Sequence, residues 1–304
     1  MSFNTWVIGS GGLLGSALRH TVVDSFDAKP IHWGDQDESG EDLKANLKVF
    51  TAQLDPSHPW RIIWAAGHAT VSSTEDKCQN ELTTFSEFVS HAQEHLTTAG
   101  RFFLTSSAGG VYAGSTDPPF NAESEPVPTS AYGRLKLDQE KILTVAFKGR
   151  GDVHTTIGRI SNLYGPGQNL GKLQGLISHL ILAALSKRPM NIFVPLDTIR
   201  DFLFVEDAAE TISGLTTMDF PPSIAVIATG EPKSLATVIS QVQGVIRVKI
   251  PIAYGQHASS NAQVADLRMT PTVACPQLTP FPAGVKKMHI DLTTRLQESD
   301  ALPV

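Results

Sequence analysis

The sequence is poor in the features that mark several classes of protein. Its 304 residues include two cysteines, Cys78 and Cys275, too few for a disulfide framework, and the cysteines and histidines show no zinc-binding spacing. There are 24 Lys and Arg against 30 Asp and Glu, so the net charge is −6 and no basic block points to nucleic acid. We therefore expect neither a structural metal nor a nucleic-acid partner.

Long apolar runs are also missing. The longest ones fall well short of the roughly 20 residues that a membrane helix needs. The N-terminus has no basic segment followed by a long apolar one, so a signal peptide is not expected. These two absences predict a protein without a membrane partner that works in the reducing cytoplasm.

The sequence does have the composition and alternation of a globular α/β protein. Hydrophobic residues make up 41% and charged residues 18%, which provides enough apolar side chains for a substantial core. Apolar runs of strand length alternate with helical stretches, and this predicts a Rossmann-like, doubly wound parallel sheet with helices on both faces. The strand-like runs are residues 5–8, 61–65, 101–105 and 154–157, and the helical stretches begin at residue 13 and cover 75–98 and 131–148.

The second half of the chain is less regular, because proline and glycine are scattered through it. We expect a dinucleotide-binding domain over residues 1–160 and a smaller, irregular substrate-binding lobe over most of residues 161–304. Residues 201–217 have the pattern of a strand that leads into a helix. The segment 201–230 is expected to return to the first domain.

A glycine-rich turn follows the first strand. Gly9, Gly12 and Gly15 have the spacing GxxGxxG between that strand and the first helix. The first glycine permits a sharp turn, the second lets the backbone approach a pyrophosphate, and the third lets the helix pack near the strand. The N-terminus of the helix offers N–H groups and a partial positive charge to phosphates. This pattern predicts a dinucleotide site, with a tight turn that binds no ligand as the alternative.

The type of dinucleotide depends on the end of the second strand, which we place near residues 29–33. An acidic residue there accepts hydrogen bonds from the adenosine ribose and disfavours a 2′-phosphate. The expected position falls near Trp33, with Asp35 two residues late, and no arginine lies nearby. NAD is therefore favoured and NADP is not excluded. The acidic stretch 34–42 that follows is interpreted as a solvated loop.

Three side chains suggest proton-transfer chemistry at one edge of the sheet. Tyr132 and Lys136 are four residues apart, which places a phenol and an ammonium on one face of a helix, where the positive charge favours the phenolate. A tyrosine of this kind serves as a general base for an alcohol or a general acid for a carbonyl. Ser107 directly follows a strand, at the edge where ligands of α/β proteins bind, and its hydroxyl would hold the reacting oxygen. Ser106 is the alternative for that role.

In this order, the motifs resemble those of an extended short-chain dehydrogenase/reductase of the NAD-dependent epimerase/dehydratase superfamily, over most of residues 5–217. The glycine turn is similar to the family's cofactor fingerprint, and Ser107, Tyr132 and Lys136 match its catalytic triad. The resemblance implies that the cofactor contacts Tyr132 and Lys136 and also Leu13, Leu14, Asp42, Leu43, Ala65, Ala66 and Gly67.

The resemblance also implies two substrate-binding residues. Asn162 begins a segment, Asn-Leu-Tyr-Gly-Pro-Gly, that is similar to the family loop in which an asparagine reaches the substrate. Arg200 begins an Arg-Asp-Phe-Leu-Phe-Val-Glu-Asp motif, in which the family's arginine often binds the diphosphate of a nucleotide sugar. A guanidinium grips a diphosphate with two parallel hydrogen bonds. The alternatives are an ion pair of Arg200 with Asp201 or Glu206, and an ordinary turn role for Asn162.

The implied activity is hydride transfer between a nicotinamide cofactor and a nucleotide-activated sugar, in an epimerase or a keto-reductase. The sugar 4,6-dehydratases of this family have an Asp-Glu pair after their catalytic threonine, and that pair moves protons. Here Ala108 and Gly109 follow Ser107, and neither can carry a proton, so dehydration is disfavoured. A reductase of a non-sugar ketone or aldehyde and a non-catalytic NAD(P)-binding sensor remain as alternatives.

A homodimer is a further expectation, by analogy. The helices near 75–98 and 131–148 resemble the pair through which relatives dimerise. Their apolar residues, such as Phe85, Phe88 and Val89, fit a core equally well.

Overall fold

The structure of the chain is a computed structural model that describes residues 2–22, 25–33, 36–171, 175–255 and 265–298. In chain order its strands are β1 Asn4–Ile8, β2 Trp60–Trp64, β3 Gly100–Ser107, β4 Val153–Ile160, β5 Asn162–Tyr164, β6 Met190–Ile192, β7 Ile199–Arg200, β8 Phe202–Phe204, β9 Ile224–Ile227, β10 Lys233–Ser234, β11 Ile252–Tyr254 and β12 Asp266–Leu267. Its helices are α1 Leu13–Thr21, α2 Gln36–Ala52, α3 Glu75–His95, α4 Ala108–Val111, α5 Ala131–Ala146, α6 Leu176–Ser186, α7 Val205–Leu215, α8 Leu235–Ile246 and α9 Phe281–Glu298.

The central element is a five-stranded parallel sheet in the order β1-β2-β3-β4-β9. Parallel strands are covered on both faces, so they are apolar along their whole length rather than alternately. The strand β2 shows this burial, because all five of its residues are buried and four of them are apolar, Arg61 being the exception. The predicted parallel α/β fold is confirmed.

Helices cover the two faces of this sheet. On one face α2, α3 and α5 enclose a core of aromatic and aliphatic side chains, and on the other face α1 packs against α7. Phe85, Phe88 and Val89 of α3 are at most 2% exposed and belong to the first of these cores. Their apolar character is therefore explained by folding of the single chain.

No described helix is long and apolar enough to cross a membrane.

The second strand that we predicted near residues 29–33 is not formed. Of the described residues in this segment, Ser25 forms an isolated bridge with Thr5 of β1, and the N–H of Phe26 donates to the carbonyl of Thr5 at 2.6 Å. Beyond that point side chains of α2 take the place of a neighbouring strand: Asn46 Oδ1 accepts from the N–H of Lys29 at 2.8 Å, and Asp42 Oδ2 accepts from that of His32 at 2.9 Å. Backbone donors bound in this way are not available for a sheet ladder.

The prediction of a loop over residues 34–42 was also wrong, since α2 begins at Gln36. Asp37 and Glu38 lie in its first turn, where negative charge is favourable next to the positive end of the helix dipole. The acidic composition that suggested a solvated loop is therefore the N-terminus of a helix. Asp35, the candidate partner of the adenosine ribose, lies outside the described residues.

The C-terminal part of the chain has a core of its own. The helices α6, α8 and α9 share a buried cluster whose centre includes Leu180, Val238 and Val285. The segment between α6 and α8 contacts the first part as well, because α7 packs on α1 and β9 pairs with β4. The short parallel pair β5–β8 and the three-stranded sheet β10-β7-β12 hold Asn162 and Arg200.

Candidate active site

The glycine turn after β1 is too crowded for side chains at two of its three glycines. Gly9 has a φ of +89°, and a Cβ built on it would lie 2.6 Å from the backbone N and Cα of Ala66. A Cβ on Gly15 would lie 2.0 Å from the carbonyl oxygen of Gly9. The turn is closed by a hydrogen bond of 3.0 Å from the N–H of Gly12 to the carbonyl of Gly9. The glycines thus let the start of α1 pack directly on the ends of β1 and β2.

The N-terminus of α1 fits the phosphates of a dinucleotide. Gly12 is its capping residue and has no side chain that would occupy the first N–H groups of the helix. Around Gly12 a built Cβ would meet only one atom, the carbonyl oxygen of Gly9 at 3.4 Å, so the backbone is open to a ligand there. This combination, a tightly packed turn next to an uncapped helix start, is the geometry that a pyrophosphate requires.

The other residues expected around the cofactor differ in their position. Ala65, Ala66 and Gly67 follow β2 directly beside the turn, where the N–H of Ala65 donates to the carbonyl of Ile8 at 2.8 Å. Leu13 is half-buried at the start of α1, whereas Leu14 is 7% exposed and packs into the core under that helix.

Asp42 and Leu43 both serve the packing of α2. Leu43 is 1% exposed and lies in the core between α2 and the sheet, so its side chain serves packing, and the expected cofactor contact stays a prediction. Asp42 Oδ2 accepts hydrogen bonds from the backbone N–H of His32 at 2.9 Å and from its Nδ1 at 2.8 Å. These bonds lower the pKa of Asp42, and the side-chain bond and charge of Asp42 raise the pKa of His32. The Asp42 carboxylate therefore anchors the segment that replaces the second strand.

The three residues of the expected triad meet where β3 ends. Ser107 caps the short helix α4, and its Oγ accepts from the N–H of Gly110 at 3.1 Å. A Cβ built on Gly110 would lie 3.1 Å from Tyr132 Cε1 and 3.3 Å from Ser107 Oγ, so the tyrosine ring and the serine hydroxyl flank the same point. Lys136 Nζ lies 5.6 Å from the centre of the Tyr132 ring.

The local sequence explains why α5 presents its tyrosine there. Ser130 caps α5 by accepting from the N–H of Gly133 at 3.1 Å, which starts the helix immediately before Tyr132. A Cβ on Gly133 would lie 2.3 Å from the carbonyl oxygen of Gly110. Glycine at position 133 therefore allows α5 to approach α4 closely enough to bring Tyr132 to Ser107.

Ser106, the alternative to Ser107, is engaged in a buried network behind the site. Its Oγ donates to Glu140 Oε1 at 2.5 Å, and it is 6% exposed. Glu140 in turn pairs with Arg159 at 2.7 Å, and Arg159 donates to the hydroxyl of Tyr112 at 2.7 Å. The hydroxyl of Ser106 already has a charged partner inside the protein, which favours Ser107 for a contact with substrate.

This network makes a prediction for stability. Replacing Glu140 with alanine leaves the guanidinium of Arg159 buried without a counter-charge, and both side chains of the pair are 4% exposed. We expect the free energy of unfolding to fall by about 3–5 kcal/mol, measured by urea denaturation. The control is Asp138→Ala on the same helix, whose pair with Lys141 is exposed and should contribute no more than about 1 kcal/mol. Equal effects of the two substitutions would contradict the interpretation.

Glu81 is a residue of this site that the sequence analysis missed. Its Oε1 lies 3.2 Å from Lys136 Nζ, and Gln139 Oε1 accepts from the same ammonium at 2.9 Å. The available signal was its position on α3: Glu81 lies three residues after Cys78 and four before Phe85, both of which are buried. An acidic residue on the apolar stripe of a helix needs a buried partner.

Arg200 and Asn162 lie on the strands next to the triad. Asn162 Nδ2 donates to the carbonyl of Asp201 at 2.9 Å, and Arg200 Nη1 donates to the carbonyl of Ile199 at 2.8 Å.

Burial lowers the pKa of Arg200 to about 10, although the negative charge of Asp266 acts in the opposite direction. In β12, Leu267 is the register partner of Arg200, and its Cδ1 would lie 3.9 Å from a Cβ on Gly109. Arg200 is therefore one strand away from α4, the short helix that follows Ser107.

The alternative explanation for Arg200 was wrong. The carboxylate of Asp201 accepts from Ser161 Oγ at 2.8 Å and from Thr229 Oγ1 at 2.7 Å, while Glu206 pairs with Lys287 at 2.6 Å. Within the described residues no carboxylate lies within 4.0 Å of the Arg200 guanidinium. The charge of Arg200 is thus available to an anionic ligand.

A cluster of metal-ligating side chains does occur, at the opposite end of α3 from Glu81. His91, Glu94 and His95 place one ligand atom each within 4.8 Å of the others. Glu94 and His95 are exposed, and the cluster is separate from the triad and from the glycine turn.

The glycine turn, the expected triad and Arg200 all lie in a part of the chain that matches a known protein family. A sequence profile of the NAD dependent epimerase/dehydratase family matches residues 6–227, well over half of the chain and the whole interval that holds the glycine turn, the triad and Arg200. The chain belongs to this family. The match begins in β1 and ends in β9, the two edge strands of the central sheet.

The NAD dependent epimerase/dehydratase family includes relatives with different activities. The chain is 25% identical to dTDP-4-dehydro-6-deoxyglucose reductase of Escherichia coli over 167 residues, which cover 54% of this chain and about half, 52%, of the reductase. It is 27% identical to UDP-glucose 4-epimerase of Mycolicibacterium smegmatis over 224 residues, covering 68% of this chain and 71% of the epimerase.

A solved structure with the same fold covers nearly the whole chain. It is the UDP-glucuronic acid 4-epimerase of Bacillus cereus, in complex with UDP-glucuronic acid and NAD, with a TM-score of 0.76. The similarity covers 96% of this chain and 99% of the other at 16% identity, and at this level of identity it shows the fold alone.

Proposed function

We propose that this protein is an NAD-dependent enzyme that transfers hydride to and from a sugar carbon of a nucleotide-activated sugar, as an epimerase or a keto-reductase. The observation that carries the proposal is the convergence of Ser107, Tyr132 and Lys136 beside the open glycine turn. Relatives named as a dTDP-sugar reductase and as a UDP-sugar epimerase support the substrate class.

The glycine turn and the loop after β2 would hold the cofactor. The uncapped N-terminus of α1 would bind its pyrophosphate, and Ala65, Ala66 and Gly67 would lie along it. When bound, a nicotinamide supplies the hydride acceptor or donor, and the protein supplies orientation and the proton. NAD is preferred to NADP because the sequence near Trp33 contains no arginine for a 2′-phosphate.

Tyr132 would move the proton and Ser107 would hold the reacting oxygen. The hydroxyl of Tyr132 makes no hydrogen bond to a described residue, so it is free to exchange a proton with a carbinol or a carbonyl oxygen. Ser107 Oγ accepts from the N–H of Gly110, which orients its own proton towards a second partner. Lys136, whose Nζ lies 5.6 Å from the centre of the Tyr132 ring, would place its positive charge beside the group that moves the proton.

Arg200 would bind the diphosphate of the substrate. We expect Arg200→Ala to raise KM for a nucleotide sugar about tenfold or more, because hydrogen bonds to a charged group contribute about 1.5–3 kcal/mol each. The Kd for NADH, measured by fluorescence, should not change, since Arg200 lies away from the glycine turn. Arg188→Ala is the control, because Arg188 is an exposed residue between α6 and β6 and lies outside the three-stranded sheet that carries Arg200. An unchanged KM in Arg200→Ala would contradict this role.

The experiment that tests the whole proposal is a set of two assays on the purified protein. One follows NADH oxidation with 4-keto sugar nucleotides, and the other follows isomerisation of UDP- and dTDP-hexoses without added reductant. Turnover in the first identifies a reductase and turnover in the second an epimerase. A parallel panel of nucleotide-free ketones and aldehydes is expected to be inactive. Absence of turnover with every nucleotide sugar, in protein shown to bind NADH, would refute the proposal.

A further inference from the structure

Lys136, the lysine of the expected triad, forms a buried ion pair in this structure. The ammonium of Lys136 and the carboxylate of Glu81 form an ion pair of 3.2 Å, and their side chains are 7% and 10% exposed. The two residues come from different helices, α5 and α3, which pack against each other. The pair is thus a tertiary contact that joins two helices under the site.

The second oxygen of Glu81 binds the loop that follows β2. Glu81 Oε2 accepts from the N–H of His68 and from the N–H of Ala69, both at 2.7 Å. These residues directly follow Ala65, Ala66 and Gly67, the segment that would line the cofactor. One carboxylate therefore connects the catalytic lysine to the cofactor-binding loop.

Gly67 makes room for this connection. A Cβ built on Gly67 would lie 3.1 Å from Glu81 Oε1 and 3.6 Å from Lys136 Nζ. The first of these distances is tighter than an ordinary contact, and the oxygen is held in place by its partners. A glycine at this position is consequently part of the same arrangement as Glu81 and Lys136.

The charges of the pair depend on each other. Burial disfavours the ammonium, but the charge and hydrogen bond of Glu81, together with Tyr132 and Cys78, outweigh burial, and the pKa of Lys136 is raised. Burial likewise disfavours the carboxylate, but Lys136 and the two backbone N–H groups lower the pKa of Glu81. The other titratable groups that act on Lys136 are Tyr132 on its own helix and Cys78 on α3. Among the described residues that act on Lys136, the one carboxylate is that of Glu81.

We propose that Glu81 is a positioning residue of the reaction, which holds the catalytic lysine in place and couples it to the loop that lines the cofactor. This inference rests on the proposed function. Glu81 touches neither the reacting atoms nor the expected path of the substrate, and it acts through Lys136 and through His68 and Ala69.

The substitution Glu81→Gln separates the two contacts. A glutamine oxygen still accepts from the N–H groups of the loop, but its NH₂ group then faces the ammonium of Lys136 and cannot accept from it. We expect kcat to fall about 10- to 100-fold, because the lysine is no longer held in position. The Kd for NADH should stay within about twofold, because the loop keeps its bonds.

The pH dependence of kcat distinguishes a positioning role of Glu81 from structural support alone, which would leave it unchanged. Removal of a negative charge favours the less protonated form of every neighbouring group. The pH profile of kcat in Glu81→Gln should therefore move to lower pH, by about one pH unit. The matched control is Glu87→Gln on the same helix, where Glu87 is exposed and not in contact with Lys136, and both kcat and the pH profile should be those of the unmodified protein.

A second variant tests the loop without any assay of turnover. In Glu81→Ala both N–H groups lose their acceptor, so we expect hydrogen exchange of the His68 and Ala69 amides to rise about tenfold and the Kd for NADH to rise about tenfold. Unchanged exchange in Glu81→Ala, or an unchanged kcat and pH profile in Glu81→Gln, would overturn the proposal. If the unmodified protein turns over no nucleotide sugar, the proposed activity fails, while exchange and NADH binding still decide the role of Glu81 at the loop.

Discussion

Tyr132→Phe should lower kcat by about 10²- to 10⁴-fold, the range that general acid–base catalysis contributes. The substitution removes one oxygen atom, and the ring that packs beside Gly110 stays in place. Because the hydroxyl of Tyr132 has no partner among the described residues, its loss breaks no internal hydrogen bond. The measurement is single-turnover hydride transfer with a nucleotide sugar, followed by the absorbance of NADH.

Two controls separate chemistry from folding and binding in this experiment. The free energy of unfolding of Tyr132→Phe should stay within about 0.5 kcal/mol of the original, and the Kd for NADH should change little. Tyr254→Phe removes the hydroxyl of a tyrosine that is 67% exposed in β11, and its kcat should be unchanged. A Tyr132→Phe protein that keeps its rate would show that another group moves the proton.

Gly15→Ala should abolish cofactor binding and destabilise the protein. Its Cβ would lie 2.0 Å from the carbonyl oxygen of Gly9, so α1 must move away from the turn. We expect a loss of about 1–3 kcal/mol in the free energy of unfolding, as found for overpacked sites, and no detectable binding of NADH in a fluorescence titration. Displacement of α1 also moves the N–H groups that would hold the pyrophosphate.

The sign of this effect is the informative part. In the interior of a helix alanine normally stabilises by about 0.5–1 kcal/mol relative to glycine. Gly214→Ala in α7 is the matched control, since α7 packs on α1, Gly214 is exposed, and its built Cβ meets no atom within 4 Å. Gly214→Ala should stabilise the protein while Gly15→Ala destabilises it. Equal stabilisation by both would show that the turn is looser than the structure describes.

Local patterns were sufficient to predict most of the central sheet and the proximity of Ser107, Tyr132 and Lys136. The apolar runs that became β1 to β4 are read directly from the sequence, because a strand buried on both faces is apolar along most of its length. Tyr132 and Lys136 are four residues apart on one helix, so their proximity follows from helical geometry alone. Strand ends carry Ser107 and the glycine turn, and parallel strands bring such ends to one edge of the sheet.

The two predictions of local structure that failed concern neighbouring segments, and each failure has its own physical cause. The segment 29–33 resembles a strand, but its N–H groups are taken by Asp42 and Asn46 of the next helix. The acidic stretch 34–42 suggested a loop, but α2 begins at Gln36, because negative charge is also favourable at the start of a helix.

By itself the sequence determined the elements whose cause is local: the apolar strands, the glycine turn and the tyrosine–lysine spacing on one helix. Only the tertiary structure decided which polar side chains are bound to each other inside the protein. It placed Ser106 on Glu140 and so favoured Ser107 for the substrate, gave Arg200 no carboxylate partner among the described residues, and paired Lys136 with Glu81. Such pairings join residues from different elements, and burial, which no local pattern encodes, makes each of them obligatory.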